Sequence, residues 1–201
     1  MVFLRASIGA DPHPVVRGRD VWLRPPQMSD YPAWAELRAR SRSHLERWEP
    51  SWSGDELSRA AWKRRVRHWA REAREDLGYA FLIFDEGEET LVGGLSLGNV
   101  RRGVTQSAAL GYWLGRPYTG QGRMTDAVAA IAAYALGPLG LHRLEAASMP
   151  ENTASIAVLQ RTGFEREGYA RRYLLIDGAW RDHVLYARTA PDRGTTGEHA
   201  A

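Results

Sequence analysis

The segment 109–136 constrains the fold most, because it joins a strand pattern to a helix pattern through a glycine-rich turn. Residues 109–114 (Ala-Leu-Gly-Tyr-Trp-Leu) predict a strand, and residues 124–136 repeat Ala, Val and Ile at helical spacing. Gly120 and Gly122 let backbone amides converge at the positive end of the helix dipole, which suits a pyrophosphate. The spacing is neither the Walker motif nor the dinucleotide fingerprint. On these residues alone, an anion site and an ordinary tight connection are both open.

The composition is that of one ordinary globular domain. The chain has 201 residues, 44% hydrophobic and 25% charged, and no cysteine. The absence of cysteine excludes disulfides, thiolate zinc sites and a cysteine nucleophile. The scattered histidines show no metal-ligand spacing, so we expect no metal. Without a long apolar run we expect no secretion signal and no membrane span, and hence a cytoplasmic protein.

The positive charge is carried almost entirely by arginine. The formal net charge is +3 and Lys63 is the sole lysine. Genomic composition bias explains this pattern. The alternative is affinity for an acidic or RNA-rich partner such as the ribosome, served by the arginines at 64–71.

The order of predicted elements is β-α-α-α-β-β-β-α-β-α-β-β. Residues 1–18 are expected to form a flexible arm, 19–191 a single domain and 192–201 a disordered tail. A helix is predicted from Asp55 to about Asp76. The apolar stripe of this helix, which is expected to face the core, includes Leu77. Trp62 falls outside the stripe and is expected to be partly exposed. Further strands are predicted at 21–24, 79–84, 90–97, 106–114, 142–148, 164–175 and 181–189, and further helices at 30–41, 43–48, 124–136 and 152–162.

A second motif follows the glycine turn. Residues 150–168 contain Asn152, Ser155 and a Gly163-Phe164 pair ahead of Glu167-Gly168. Together, the two segments resemble the two cofactor motifs of the GNAT acetyltransferases, Q/R-x-x-G-x-G/A and N-x-x-S…L-x-x-x-G-F-x-x-E-G. Pro117 departs from the first motif, replacing the usual Gln or Arg, although the neighbouring Arg116 can still reach a phosphate.

The resemblance implies the fold and the cofactor site. The fold is α/β (α+β), a single domain whose mixed, mostly antiparallel seven-stranded sheet is flanked by helices. Its fourth and fifth strands, ending at Leu114 and Ser148, splay apart to admit acetyl-CoA. The residues that the resemblance places on acetyl-CoA are Tyr112, Trp113, Leu114, Thr119, Gly120, Gln121, Gly122, Arg123, Met124, Thr125, Asn152 and Ser155.

Catalytic residues are also suggested by the resemblance. Ser155 is a candidate proton donor to the departing thiolate, or else a helix hydroxyl, and Tyr173 is a competing acid. Many relatives carry a Glu base where this chain has Ala109. His183, beside Asp182, is the best alternative base, since histidine titrates in the useful range; a structural pair is the other interpretation. With no cysteine in the chain, transfer is expected to be direct or to pass through another residue type.

Three further segments resemble one branch of the family. Residues 169–187, 43–50 and 99–103 are similar to the bacterial ribosomal-protein alanine N-acetyltransferases of the RimJ type. This implies an acceptor that is the N-terminal amine of a ribosomal protein beginning with Ala or Ser, bordered by Trp48, Trp52 and the helices at 30–76. A small-amine or antibiotic acetyltransferase, and a non-catalytic acyl-CoA-binding ribosome-assembly module, are the alternatives.

Overall fold

The molecule is built around one twisted sheet with helices on both faces. The computed structural model describes residues 14–191, so most of the arm expected at 1–18 and the whole tail expected at 192–201 lie outside the described residues. The strands are β1 Val16–Arg17, β2 Val21–Arg24, β3 Tyr79–Asp85, β4 Leu91–Arg101, β5 Ser107–Leu114, β6 Arg143–Ser148, β7 Glu165–Ile176 and β8 Ala179–Thr189. The helices are α1 Tyr31–Arg40, α2 Arg42–Leu45, α3 Arg59–Arg74, α4 Arg123–Leu136 and α5 Thr153–Arg161, with 3₁₀ turns at Met28–Asp30, Glu46–Trp48 and Arg116–Tyr118.

The strand order is β1-β2-β3-β4-β5-β6-β8-β7, and every neighbouring pair is antiparallel except β5 and β6. The predicted mixed, mostly antiparallel sheet is therefore confirmed. The described residues contain eight strands rather than the predicted seven, because the short β1 pairs with β2.

The additional strand is held by a residue from the distant helix α4. The carboxylate of Asp126 accepts hydrogen bonds from the backbone amides of Arg19 and Asp20, both at 2.8 Å. A Cβ atom on Gly18 would lie 2.5 Å from that carboxylate, so only glycine fits there. These contacts fix the turn between β1 and β2, and local propensity gives no sign of them.

Alternate residues of β3 pack against different helices, as strand geometry requires. Ile83 belongs to the main core with α4, which contributes Val128 and Ile131. Leu82 and Phe84 belong to a second cluster with α1 and α3. The sheet is thus covered on both faces, and its strand ends are positioned by two separate cores.

Helix α3 differs from its predicted bounds and orientation. It begins after Ser58, whose hydroxyl accepts from the amide of Ala61 at 3.0 Å, rather than at Asp55. The Asp55 carboxylate instead pairs with the Arg64 guanidinium, as Glu56 does with Arg65. Part of the arginine run thus faces acidic side chains of the same chain.

The predicted exposure of Trp62 and of Leu77 was wrong. Trp62 is fully buried, with its ring centroid 4.6 Å from that of Trp34 and its Nε1 donating to the carbonyl of Gln27 at 3.2 Å. Leu77 lies beyond the helix end and is 48% exposed. The predicted apolar stripe runs past Arg74, where the helix ends and the helical spacing of side chains no longer applies.

Replacing Trp62 with alanine is expected to destabilise the protein by about 3–5 kcal/mol, because it opens a large cavity and removes the hydrogen bond to the Gln27 carbonyl. The matched control is Trp180→Ala, since Trp180 is 57% exposed; its effect should stay within about 0.5 kcal/mol. Urea unfolding measures both. Equal losses for the two variants would contradict the packing described above.

Candidate active site

A cleft opens where β5 and β6 separate. The two strands pair in parallel only between Ser107–Ala109 and 143–145. Beyond Ala109 they diverge around a cavity of about 480 Å³. The predicted splay of these two strands is thus confirmed. The cleft, as we call this cavity, is lined by His44, Leu45, Trp48, Glu49, Leu110, Gly111, Tyr112, Trp113, Leu114, Thr119, Gly120, Met124, Ala146, Ala147, Ser148, Met149, Asn152, Ala154, Ser155, Val158, Leu159 and His183.

The glycine turn closes one end of the cleft. Its start is anchored, since the amide of Gly115 donates to the carbonyl of Val92 and that of Arg116 to the hydroxyl of Ser41, both at 2.9 Å. Gly120 and Gly122 then adopt φ values of +75° and +80°, and no heavy atom lies within 4 Å of where a Cβ would stand on either. Glycine is needed here for its left-handed conformation. The space beside it is open.

After the anchored residues Gly115 and Arg116, the glycine turn presents backbone N–H groups that could donate hydrogen bonds to a ligand. Within residues 14–191, the backbone amides of Gly120 to Thr125 find no acceptor, as is usual for the first turn of a helix. They lie at the positive end of the α4 dipole, where an anion is favoured. The amide of Thr119, also predicted as a donor, is partly engaged with the carbonyl of Arg116 at 3.4 Å.

The cleft mouth carries positive potential. His44 lines it, and burial followed by the charges of Arg116 and Arg47 lowers the pKa of this histidine. The neighbouring Arg123 does not add a free charge, because its guanidinium pairs with Asp85 at 2.6 Å. The positive charges of Arg116 and Arg47, together with the unpaired amides of the turn, suit a phosphate-bearing ligand.

Eight of the twelve predicted cofactor residues line the cleft. They are Tyr112, Trp113, Leu114, Thr119, Gly120, Met124, Asn152 and Ser155. The other four, Gln121, Gly122, Arg123 and Thr125, are outside its lining and belong to the rest of the glycine turn and the start of α4. The Gln121 side chain donates to the carbonyl of Pro117 at 3.2 Å.

Two hydroxyl groups meet inside the cleft. The Tyr112 hydroxyl lies 2.9 Å from the Ser155 hydroxyl and 3.2 Å from the Ser155 carbonyl oxygen. Burial raises the pKa of Tyr112 to about 12, and the hydrogen bond to Ser155 opposes part of that rise. Both hydroxyls therefore stay protonated near neutral pH and form a connected pair of proton donors. The sequence suggested Ser155 as a proton donor, whereas it placed Tyr112 on acetyl-CoA without a catalytic role.

Asn152 caps α5. Its side-chain oxygen accepts from the amide of Ser155 at 3.1 Å. The cap holds the first turn of the helix, and with it the Ser155 hydroxyl, against β5.

The expected Asp182–His183 pair does not form. The Asp182 carboxylate accepts from the Tyr169 hydroxyl at 2.7 Å and the Arg172 amide at 2.8 Å, whereas His183 Nδ1 lies 3.0 Å from the carbonyl of Arg181. Neighbouring residues of a strand point to opposite faces, which separates the two side chains. His183 is buried and lines the cleft, while Tyr173 is 48% exposed and outside its lining, 5.8 Å from the His183 ring.

A second cavity of about 470 Å³ adjoins the cleft at β5. We call it the tryptophan pocket, because Trp34, Trp52, Trp69 and Trp113 line it. The two cavities share four residues: Glu49, Gly111, Tyr112 and Trp113. Trp52, predicted to border an acceptor, lies in the tryptophan pocket, whereas Trp48 lines the cleft.

An ion pair stands in the tryptophan pocket. The Arg38 guanidinium donates to both Glu49 carboxylate oxygens, at 3.1 and 2.6 Å, and Trp52 Nε1 donates to Glu49 at 2.9 Å. Sequence reasoning missed Glu49, although it lies in the Trp48-Glu49-Pro50 run that carried the branch resemblance. Nothing in its spacing connects it with β5, some sixty residues later in the chain.

Between residues 14 and 191 no helix combines the length and apolarity that crossing a membrane requires. In the same part of the chain, no group of three His, Cys, Asp or Glu side chains has an arrangement that could hold a metal ion.

Comparison with known proteins agrees with this geometry. Residues 20–165 match the acetyltransferase (GNAT) domain family. The [Ribosomal protein uS5]-alanine N-acetyltransferase of Escherichia coli (strain K12) is 36% identical over 178 residues, which cover 89% of this chain and 87% of that protein.

Two solved structures are similar throughout the domain. Mycobacterium smegmatis RimJ, in complex with CoA-disulfide, has a TM-score of 0.82 and 40% identity, covering 89% of this chain and 87% of that one. The ribosomal-protein-S5-alanine acetyltransferase from Vibrio fischeri has a TM-score of 0.83 and 32% identity, covering 89% and 98%. With a family match over most of its length and relatives of this identity, the chain belongs to the GNAT acetyltransferase family and is an N-acetyltransferase.

Proposed function

We propose that this protein transfers an acetyl group from acetyl-CoA directly to the N-terminal α-amine of a ribosomal protein that begins with Ala or Ser. The observation that carries the proposal is the junction at Gly111–Trp113, where the cleft meets the tryptophan pocket. Two reactants entering from opposite sides would come together there. Holding them in place can supply a large part of the rate.

The cleft is suited to the acetyl donor. Its unpaired amides at 120–125 would take the pyrophosphate, beside the positive charge of Arg116. Past Ala109 the edge of β5 that faces β6 has no strand partner among residues 14–191, so its backbone groups are open to an extended amide-bearing chain. The CoA-disulfide ligand of the Mycobacterium smegmatis relative supports this assignment.

The hydroxyl pair of Tyr112 and Ser155 would serve the leaving group. Departure of the CoA thiolate needs a proton, and the pair is protonated and lines the same cleft. A positioned acid of this kind contributes roughly 10²–10⁴-fold to a rate. The absence of cysteine excludes an acetyl-cysteine intermediate, which is compatible with the direct transfer that we propose.

The acceptor class is supported by the relatives. The named activity of the Escherichia coli protein is on the alanine of ribosomal protein uS5. The tryptophan pocket offers a carboxylate and aromatic walls, which suit an ammonium group. Because such an acceptor is made in the cytoplasm, the proposal places the reaction there.

A peptide panel tests the proposal. Basic hexapeptides that begin with Ala, Ser or Leu, and an N-terminally blocked peptide with internal lysines, are incubated with acetyl-CoA. We expect thiol release with the Ala and Ser peptides, with the acetyl group on the α-amine by mass spectrometry, and at least about tenfold lower kcat/KM on lysine, a difference of about 1.4 kcal/mol. Comparable rates on internal lysine, or activity only on small amines, would contradict the proposal.

A further inference from the structure

The mechanism proposed above leaves the acceptor without a base. The family resemblance predicts a Glu base at position 109, where this chain has Ala109 and hence no carboxylate. Resting on the proposed function, we infer that Glu49 supplies this carboxylate from a different element: it binds the α-ammonium group of the acceptor and takes its proton, and Arg38 holds it in position.

Glu49 lies where the reactants would meet. Among the described residues it is the one acidic side chain that lines both the cleft and the tryptophan pocket. Its backbone is also fixed, since the Glu49 carbonyl accepts from the amide of Asp177, in the β7–β8 turn, at 3.0 Å. The carboxylate thus has access to both cavities, and the backbone that carries it is held in place.

The rival carboxylate near Ala109 is Glu145, which stands opposite it on β6. Glu145 lines neither cavity. It pairs instead with Arg143 at 2.9 Å and Arg101 at 3.4 Å. Position in the sheet would favour Glu145, but access to the acceptor favours Glu49.

Arg38 is built to position Glu49. Its side chain is 7% exposed, and its guanidinium lies 4.4 Å from the Trp52 ring centroid and 5.0 Å from that of Trp113. Within residues 14–191, Arg38 Nε is a buried donor that has no acceptor. Burying an arginine with an unsatisfied N–H costs stability. Such a cost is expected where a side chain is retained for a function.

The contacts leave Glu49 able to bind an ammonium group. Arg38 donates twice to the carboxylate and Trp52 once. An ionised carboxylate accepts about four hydrogen bonds, so one site is left. The carboxylate stays partly open, at 22% exposure, and the surrounding indole faces also attract a cation.

The proton and electron movements balance. The α-ammonium gives one proton to a Glu49 oxygen, and the freed lone pair forms the C–N bond at the thioester carbonyl carbon. The C–S bond then breaks, and the thiolate takes a proton from the Tyr112–Ser155 hydroxyl pair. The second nitrogen proton leaves as the amide forms and restores that pair, and Glu49 returns its proton to water.

The test compares Glu49→Gln with Glu145→Gln as its matched control. Both remove one carboxylate, and kcat/KM for an Ala-initiated peptide is measured from pH 6 to 10. We expect Glu49→Gln to lose about 10²-fold or more at pH 7 and to recover partly as the amine, with a pKa near 8, deprotonates by itself. Glu145→Gln should keep the wild-type rate and pH profile. Calorimetry with CoA should show unchanged affinity in both.

Arg38→Lys separates positioning from folding. It preserves the charge but loses the two-pronged hydrogen bond and the stacking between indoles. We expect a lower kcat with unchanged CoA affinity and the wild-type pH profile, since Glu49 is still present. Loss of CoA binding in this variant would show that Arg38 supports the fold and would overturn its positioning role. The role of Glu49 as the base is tested separately, by Glu49→Gln.

The outcomes distinguish the two proposals. An active wild type whose Glu49→Gln variant keeps the rate and pH profile overturns the role of Glu49 and leaves the proposed function intact. A loss in Glu145→Gln instead moves the base to β6. A wild type that acetylates no peptide α-amine overturns both, because the acceptor is then gone.

Discussion

Replacing Gly120 or Gly122 with alanine is expected to weaken CoA binding by about tenfold or more, equivalent to about 1.4 kcal/mol. Both residues have positive φ, a conformation that costs an L-residue about 1–2 kcal/mol. The Cβ would also project into the open space beside the unpaired amides of the turn. The turn would therefore lose its shape or keep it with a methyl group in the path of the phosphates. Isothermal calorimetry with CoA measures the effect.

The matched controls are Gly103→Ala and Gly140→Ala. These glycines have φ values of +69° and +71°, and no heavy atom lies within 4 Å of a built Cβ on either, as at Gly120 and Gly122. They line neither cavity. Their variants should lose similar stability in urea unfolding but bind CoA as the wild type does. If all four variants bound CoA equally well, the turn would not be the phosphate site.

Tyr112→Phe and Ser155→Ala are each expected to lower kcat by about 10²-fold or more, because each breaks the hydroxyl pair that would protonate the thiolate. Groups that act as a unit are not additive. The double variant should therefore be about as slow as either single variant. Since the pKa of Tyr112 is raised to about 12, the wild-type rate should show no loss from Tyr112 ionisation up to about pH 10. Single-turnover measurement isolates the chemical step.

Tyr79→Phe controls for the loss of a buried tyrosine hydroxyl. The Tyr79 hydroxyl donates to Asp76 at 2.7 Å, and its residue lies outside the cleft. This variant should lose stability yet keep kcat. If the fold-loss in kcat of the Tyr112 and Ser155 double variant equalled the product of the two single losses, the two hydroxyls would act separately.

The predicted fold was most accurate where the determining contacts are local. Helix α4 begins within one residue of its predicted start, because the glycine turn and the Ala-Val-Ile repeat are both encoded within a short segment. The turn at Asp177-Gly178 joins β7 and β8, which lie within a few residues of the two predicted strands. Both turn residues have positive φ, and Asp-Gly is a dipeptide that favours such a hairpin turn.

The errors arose where a distant side chain decided the outcome. Asp55 was expected to cap α3, but Arg64 recruits its carboxylate and Ser58 caps the helix instead. Trp62 lies outside the predicted stripe and yet is buried, because Trp34 and the chain near Gln27 cover it. Helical periodicity describes one face of one helix, and it contains no information on what packs against the other.

In the candidate site, too, local features were predictable from the sequence and contacts between distant segments were not. Its glycine turn and the capped start of α5 were predictable, since each is a short segment whose backbone conformation follows from its own residues. Glu49, and the contact between Tyr112 and Ser155, come from segments more than forty residues apart. The sequence alone determined how a phosphate-bearing ligand could be held, because that depends on main-chain amides and glycine. Only the tertiary structure decided which side chains line the cleft beside that turn, because packing of the two cores against the splayed sheet brings them together.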